Sequence, residues 1–195
     1  SSFLGSSGKC LLQAMCEVYV KPVTRRIGRG IDGLFPGRDM LGAPHTVVTL
    51  ALQTKHRQTA MSDEMLTERA KCFDVLVRHM KEFKEFFDAA GQWCDFIDPS
   101  TGAPFFEDSA TTLLECDEVY RTLGFEILEL GCCKALCCEK YGQCVVLTSA
   151  FVQASEEQVE AALPLLQKAL AWEEPAGAPA PAAEGDKGAE APAAA

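Results

Sequence analysis

The sequence predicts an α+β fold, an antiparallel sheet flanked by helices. Three observations carry that expectation. Thr46 to Gln53 is a β-branched and aliphatic run with Val48, Leu50 and Leu52 on one face, the period of a strand. Met61 to Ala90 repeats Leu66, Ala70, Phe73, Val77, Met80, Phe83 and Phe87 at helical spacing. Gly131 to Cys138 and Gln143 to Gln153 are both strand-like, and the short segment Glu139-Lys140-Tyr141-Gly142 between them predicts an antiparallel hairpin.

Taken in order, Ser1 to Gly8 is rich in serine and glycine and is expected to be disordered, and Cys10 to Val20 has the apolar content of a short helix or strand. Arg25 to Gly30 is basic and glycine-rich and reads as a linker into Leu34-Phe35-Pro36. These stretches make residues 1–33 an N-terminal segment, flexible in part, ahead of a domain spanning 34–172. In the long helix Ser62 is the expected N-cap, with Asp63 and Glu64 where the dipole favours negative charge, and Gly91 is the stop. Trp93 to Ile97 is a short strand ended by Asp98-Pro99-Ser100-Thr101-Gly102, which has turn chemistry. Thr111 to Tyr120 is mixed, with a short helix as one reading. Ser155-x-x-Gln158 is a capping box that opens a last helix through Val159, Leu163, Leu166 and Leu170; Pro164 inside that pattern is expected to kink or break it. Residues 173–195 are almost all alanine, proline, glycine and glutamate with no large apolar side chain, a composition expected to stay disordered.

The whole chain bounds the function. It has 195 residues, 48% of them hydrophobic, enough for one core. A net charge of -10 argues against nucleic acid and anionic membrane as partners. No apolar run approaches the roughly 20 residues of a membrane helix. The sequence opens on Ser1 and not on Met, which leaves a targeting segment ahead of it open.

Ten cysteines pose the main question. Either they form a disulfide framework or they are free thiols of a reducing compartment, and the second reading is preferred. The densest run is Gly131-Cys132-Cys133-Lys134-Ala135-Leu136-Cys137-Cys138, which suggests zinc or an iron–sulfur cluster. On a strand, however, Cys132 and Cys138 stand about 20 Å apart at about 3.3 Å per residue, and Cys133 and Cys137 face the other side. Cys133, Cys137 and Cys144 are then expected to be small core hydrophobes. Cys132 differs: it follows a glycine at the strand entrance, and Lys134, two residues on, is placed to favour its thiolate, a soft ligand for a transition metal such as cobalt.

Other chemistry is thinly marked. His45, His56 and His79 show no metal-binding spacing, and His79 is expected at the surface or half-buried. Serine-hydrolase, phosphate-loop and dinucleotide fingerprints are absent. Asp95, Asp98, Glu107, Asp108, Glu115, Asp117 and Glu118 form an acidic series that could do acid–base work but is better read as turn capping and a solvated face.

Several longer stretches carry a resemblance. They are Trp93-Cys94-Asp95-Phe96-Ile97-Asp98-Pro99-Ser100-Thr101-Gly102 followed by Phe105-Phe106, then Glu115-Cys116-Asp117-Glu118-Val119-Tyr120-Arg121-Thr122-Leu123-Gly124-Phe125, then Leu130-Gly131-Cys132-Cys133-Lys134. In this order they resemble the methylmalonic aciduria and homocystinuria type D family (MMADHC, or CblD), over roughly Leu34 to Leu163. Val119 and Glu129 depart from the family's usual arginine and aspartate, and neither touches the cysteine motif.

The resemblance implies a modified flavin-nitroreductase-like fold that binds no flavin, and an adaptor without catalysis of its own. It implies a heterodimer with a CblC-like (MMACHC) partner, the protein that removes the upper ligand of cobalamin. Cys132 would ligate the cobalt of the partner-bound cobalamin, and Cys133 would not. Cobalamin would pass on toward methionine synthase or methylmalonyl-CoA mutase, in the cytoplasm and in the mitochondrion as well. The residues alone keep two other readings open: a thiol or flavin oxidoreductase, and a zinc or iron–sulfur module.

Overall fold

The computed structural model describes residues 9–12, 16–131 and 133–169, with side chains for 16–131 and 133–164. The tail expected at 173–195, the first eight residues and Cys132 itself lie outside the described residues.

Strands β1 (Lys9–Leu12), β2 (Cys16–Pro22), β3 (Thr46–Gln53), β4 (Cys94–Phe96) and β7 (Val145–Val152) form one sheet in the order β1-β2-β3-β7-β4, every pair antiparallel. β3 and β7 pair along their whole length, from Thr46 opposite Val152 to Gln53 opposite Val145. Every residue of β7 is buried, as is every residue of β3 except Gln53. A strand covered on both faces does not alternate apolar and polar residues, and 145–152 is apolar apart from Thr148 and Ser149, whose hydroxyls are bonded to Ile97 O and Thr49 Oγ1.

Two cores explain the double burial. On one face Val48, Leu50 and Leu52 meet Leu76, Met80, Phe83 and Phe87 of α2 (Asp63–Ala89) and Val159 of α4 (Glu156–Ala169). On the other face Val47, Ala51 and Phe151 meet Ile27 of α1 (Arg25–Gly30), Val119, Tyr120 and Leu123 of α3 (Val119–Leu123), and the hairpin of β5 (Glu126–Glu129) and β6 (Lys134–Cys137). The architecture is thus the α+β class expected, helices on both faces of an antiparallel sheet.

The capping expectations hold in atomic detail. Ser62 Oγ accepts from Met65 N at 3.2 Å, and Asp63 and Glu64 fill the first turn of α2. Ser155 and Gln158 close a reciprocal box: Gln158 Oε1 accepts from Ser155 N at 2.9 Å and Ser155 Oγ from Gln158 N at 3.3 Å.

Four expectations are corrected. Residues 25–30 form α1 rather than a linker: Thr24 Oγ1 caps Ile27 N at 3.4 Å, and Ile27 anchors the turn in the core. The mixed stretch 111–120 leads into a helix that begins only at Val119. α4 continues through Pro164 to Ala169, so the proline does not break the helix there. Finally, 134–137 does not pair with β7. Cys138 and Gly142 exchange backbone hydrogen bonds at 3.0 and 2.9 Å, closing a tight turn that carries the chain from one sheet into the other. β7 takes β3 and β4 as neighbours, and β6 pairs with β5, from Glu126 opposite Cys137 to Glu129 opposite Lys134.

Candidate functional site

The described residues on either side of Cys132 lie in the connection between β5 and β6. Leu130 N donates to Cys133 O at 2.9 Å, so the connection between those residues is two residues long. Gly131 opens it with φ +80°, a backbone shape that a two-residue hairpin connection needs and an L side chain resists. On either side of Cys132 the chain faces solvent: Leu130, Gly131, Cys133 and Lys134 are all exposed. The strand geometry that separated the cysteines therefore begins only at Lys134.

This changes what the neighbouring residues can do. Cys133, expected in the core, is exposed, and Cys137 and Cys144 are half-buried; among the described cysteines of the run Cys138 is the buried one. Lys134 is exposed at the start of β6 and has a carboxylate partner of its own. Its Nζ lies 3.2 Å from Glu118 Oε1, and Glu118 also holds Arg121 Nε at 2.6 Å. The hydrogen bond from Lys134, with Arg121 behind it, pulls the Glu118 carboxyl below its usual range, so the lysine's charge is already answered.

One residue at the site was not anticipated. Cys116 Sγ lies against the outer edge of β6, donating to Lys134 O at 3.4 Å and accepting from the Leu136 backbone N–H. A side chain thus occupies an edge that would otherwise offer a free donor and acceptor. Burial, then the Glu115 carboxylate, raises the Cys116 thiol above its ordinary value, so it stays protonated and able to donate. No periodicity could bring it to β6; its place in the Glu115-Cys116-Asp117-Glu118 motif was the signal available.

The acidic series proves structural. Asp95, 1% exposed, accepts from Phe96 N at 2.7 Å, Phe106 N at 3.2 Å and Glu107 N at 3.0 Å, tying β4 to the loop that follows. Asp98 accepts from Ser100 N at 2.8 Å within its turn, and Asp117 accepts from Val119 N at 2.9 Å at the start of α3. Glu107 takes Arg38 at 2.7 Å and Trp93 Nε1 at 2.9 Å, while Glu115 takes Arg69 at 2.6 Å. His79, expected at or near the surface, is buried beside Glu82 at 3.6 Å. Among the described residues no three His, Cys, Asp or Glu side chains gather as a metal-ligand set, and no helix is long and apolar enough to cross a membrane.

Comparison with known proteins decides the relationship. The sequence profile of the methylmalonic aciduria and homocystinuria type D protein family matches residues 9–163. The chain belongs to that family. Relatives named cobalamin trafficking protein CblD are similar to it: the protein from Rattus norvegicus is 34% identical over 145 residues, and that from Homo sapiens is 33% identical over the same length. The one from Gallus gallus is 34% identical over 146 residues. Each match covers 74% of this chain and 48% of the relative, so the chain spans about half the length of the curated relatives it matches. Membership reaches back to residue 9, which takes in β1, β2 and α1 as well as the motifs from Leu34 onward.

Proposed function

We propose that this chain serves cobalamin trafficking as an adaptor that performs no catalysis. It pairs with a CblC-like decyanase or dealkylase, and Cys132 supplies a thiolate to the cobalt of the cobalamin that the partner holds. Cobalamin is cargo here, shared across an interface, and passes toward methionine synthase or methylmalonyl-CoA mutase in the cytoplasm or the mitochondrion. The flavin-free, nitroreductase-like description of the fold belongs to the same reading.

The observation that supports it is the exposure of the described neighbours of Cys132, namely Leu130, Gly131, Cys133 and Lys134, at the connection between β5 and β6. A ligand that must reach metal held by another protein needs such an exposed place, and thiolate is a soft donor matched to cobalt. Ligation releases the thiol proton, so it strengthens as pH rises toward the thiol pKa. The names of the relatives support the cargo.

The test is the visible spectrum of cobalamin on the decyanating partner, titrated with this protein. Wild type and Cys133→Ser shift the cobalt bands; Cys132→Ser does not. A shift that survives Cys132→Ser removes the ligand assignment, and an unchanged spectrum with every protein removes the adaptor reading.

A further inference from the structure

Helix α1 carries Arg25, Arg26 and Arg29, all exposed. At about 100° per residue they share one arc of its surface, and Ile27, 2% exposed, points away from that arc into the core. The flanks are glycine. A Cβ on Gly30 would stand 2.3 Å from Val119 Cγ2, and one on Gly28 would stand 3.0 Å from Leu41 Cδ2. The helix is therefore seated closely against α3 and the Leu41 loop, with its arginines outward.

Nothing inside the fold accounts for these arginines. Arg25 and Arg26 occupy the first turn, where the helix dipole disfavours positive charge, and no acidic residue accompanies them there. Among the described residues none of the three has a carboxylate within ion-pair distance. The chain as a whole has 28 acidic and 18 basic residues, so a purely basic face runs against its charge balance. Leu41, 50% exposed, adds an apolar rim beside Gly28.

We propose that the outer face of α1 docks an acidic segment of a partner protein, with carboxylates on the three guanidiniums and an aliphatic side chain on Leu41. Guanidinium is a bidentate match for carboxylate. The arginines are spread along about 6 Å of helix axis, which suits carboxylates in series along a peptide better than one compact phosphate. A phosphate would also draw on converging amides, and the Ile27 N–H is already taken by Thr24. The inference is independent of cobalt ligation, because α1 shares no residue with the β5–β6 tip.

The experiment is fluorescence anisotropy with a labelled peptide of glutamates around a central leucine, using the full chain without cobalamin. Wild type binds, and binding weakens steeply as salt is raised. The Arg25→Gln/Arg26→Gln/Arg29→Gln variant binds about tenfold more weakly. A Lys71→Gln/Arg78→Gln control, exposed charges on α2, binds as wild type does. The triple variant melts close to the wild-type temperature, because the helix dipole disfavours the two first-turn charges it loses and favours the one in the last turn, Arg29. Equal binding by wild type and the triple variant, or no binding by wild type, overturns the proposal. So does a lowered melting temperature of the triple variant, which makes the arginines structural, or displacement of the peptide by inorganic phosphate at equal concentration, which makes the face a phosphate site.

Discussion

Asp95 shows at the scale of one residue how a recognisable motif can be structural. Its carboxylate accepts three backbone N–H groups while 1% exposed, so it holds the 105–107 segment against β4. Burial raises its pKa above the ordinary 3.8, and the three amide bonds only partly offset that. A raised carboxylate pKa means that the folded state binds the proton more readily than the unfolded one. Stability from this group is therefore full below 3.8 and declines as pH rises through the folded value. Asp95→Ala leaves three backbone amides, one buried and two part-buried, without their acceptor and destabilises by about 1–3 kcal/mol. Asp95→Asn keeps one acceptor oxygen and removes the buried charge, so it costs less, and it flattens the pH dependence just above 3.8. Denaturant melts of the three proteins from pH 3 to 7 check both orderings; an Asn variant less stable than the Ala variant refutes this account. The sequence marked Asp95 as one of an acidic series, but its burial follows from pairing between β4 and β7, which no local pattern encodes. Cys116 was illegible for the same reason: its contact with β6 spans 18 residues of chain. Gly131 was only half legible: the glycine marked a special backbone position, but it was placed at a strand entrance, and its positive φ depends on the pairing of β5 with β6.

At the scale of the element, what could be read was length and period, and what could not was partnership. The 27-residue α2 and the eight-residue β3 were visible because each repeats one periodicity many times. The four-residue β5 was missed, and without it β6 was assigned to the nearer strand, β7. α1 was missed because six residues with two glycines have almost no period and poor helix propensity. Its glycines are seats for neighbours, and they are not equivalent. Gly30→Ala puts a methyl 2.3 Å from the Val119 side chain, in a position where α3 must move, and should destabilise by about 1–3 kcal/mol. Gly28→Ala meets only the end of the half-exposed Leu41 at 3.0 Å, and the alanine's better helix propensity, up to about 1 kcal/mol, leaves it neutral or stabilising. Thermal melts of the two variants check this; a Gly30→Ala protein as stable as wild type means that α1 is not held against α3 as described.

At the scale of the whole molecule, the cysteine tip projects from the part least bound into the sheet. β3 and β7 have both edges paired and both faces covered, by α2 and α4 on one side and by α1, α3 and the hairpin on the other. The β5–β6 hairpin is two-stranded and only partly buried: Ile127 and Leu136 face the second core and Ala135 is buried beside Leu136, whereas Glu126, Glu129 and Lys134 are exposed. Two strands alone are marginal, so this pair depends on that one face and on the Cys116 contact at its edge. Local opening of the hairpin should therefore cost less than global unfolding, whereas opening of β3 or β7 should require it. Hydrogen exchange followed by mass spectrometry should find amides of 46–53 and 145–152 exchanging at the global rate, and amides of 126–129 and 134–137 exchanging at least about tenfold faster. If the hairpin exchanges as slowly as the central strands, it belongs to the same cooperative unit, and the tip is presented rigidly. If it exchanges faster as expected, a partner that engages the tip must order it, and partner binding should slow exchange there and leave the central strands unchanged.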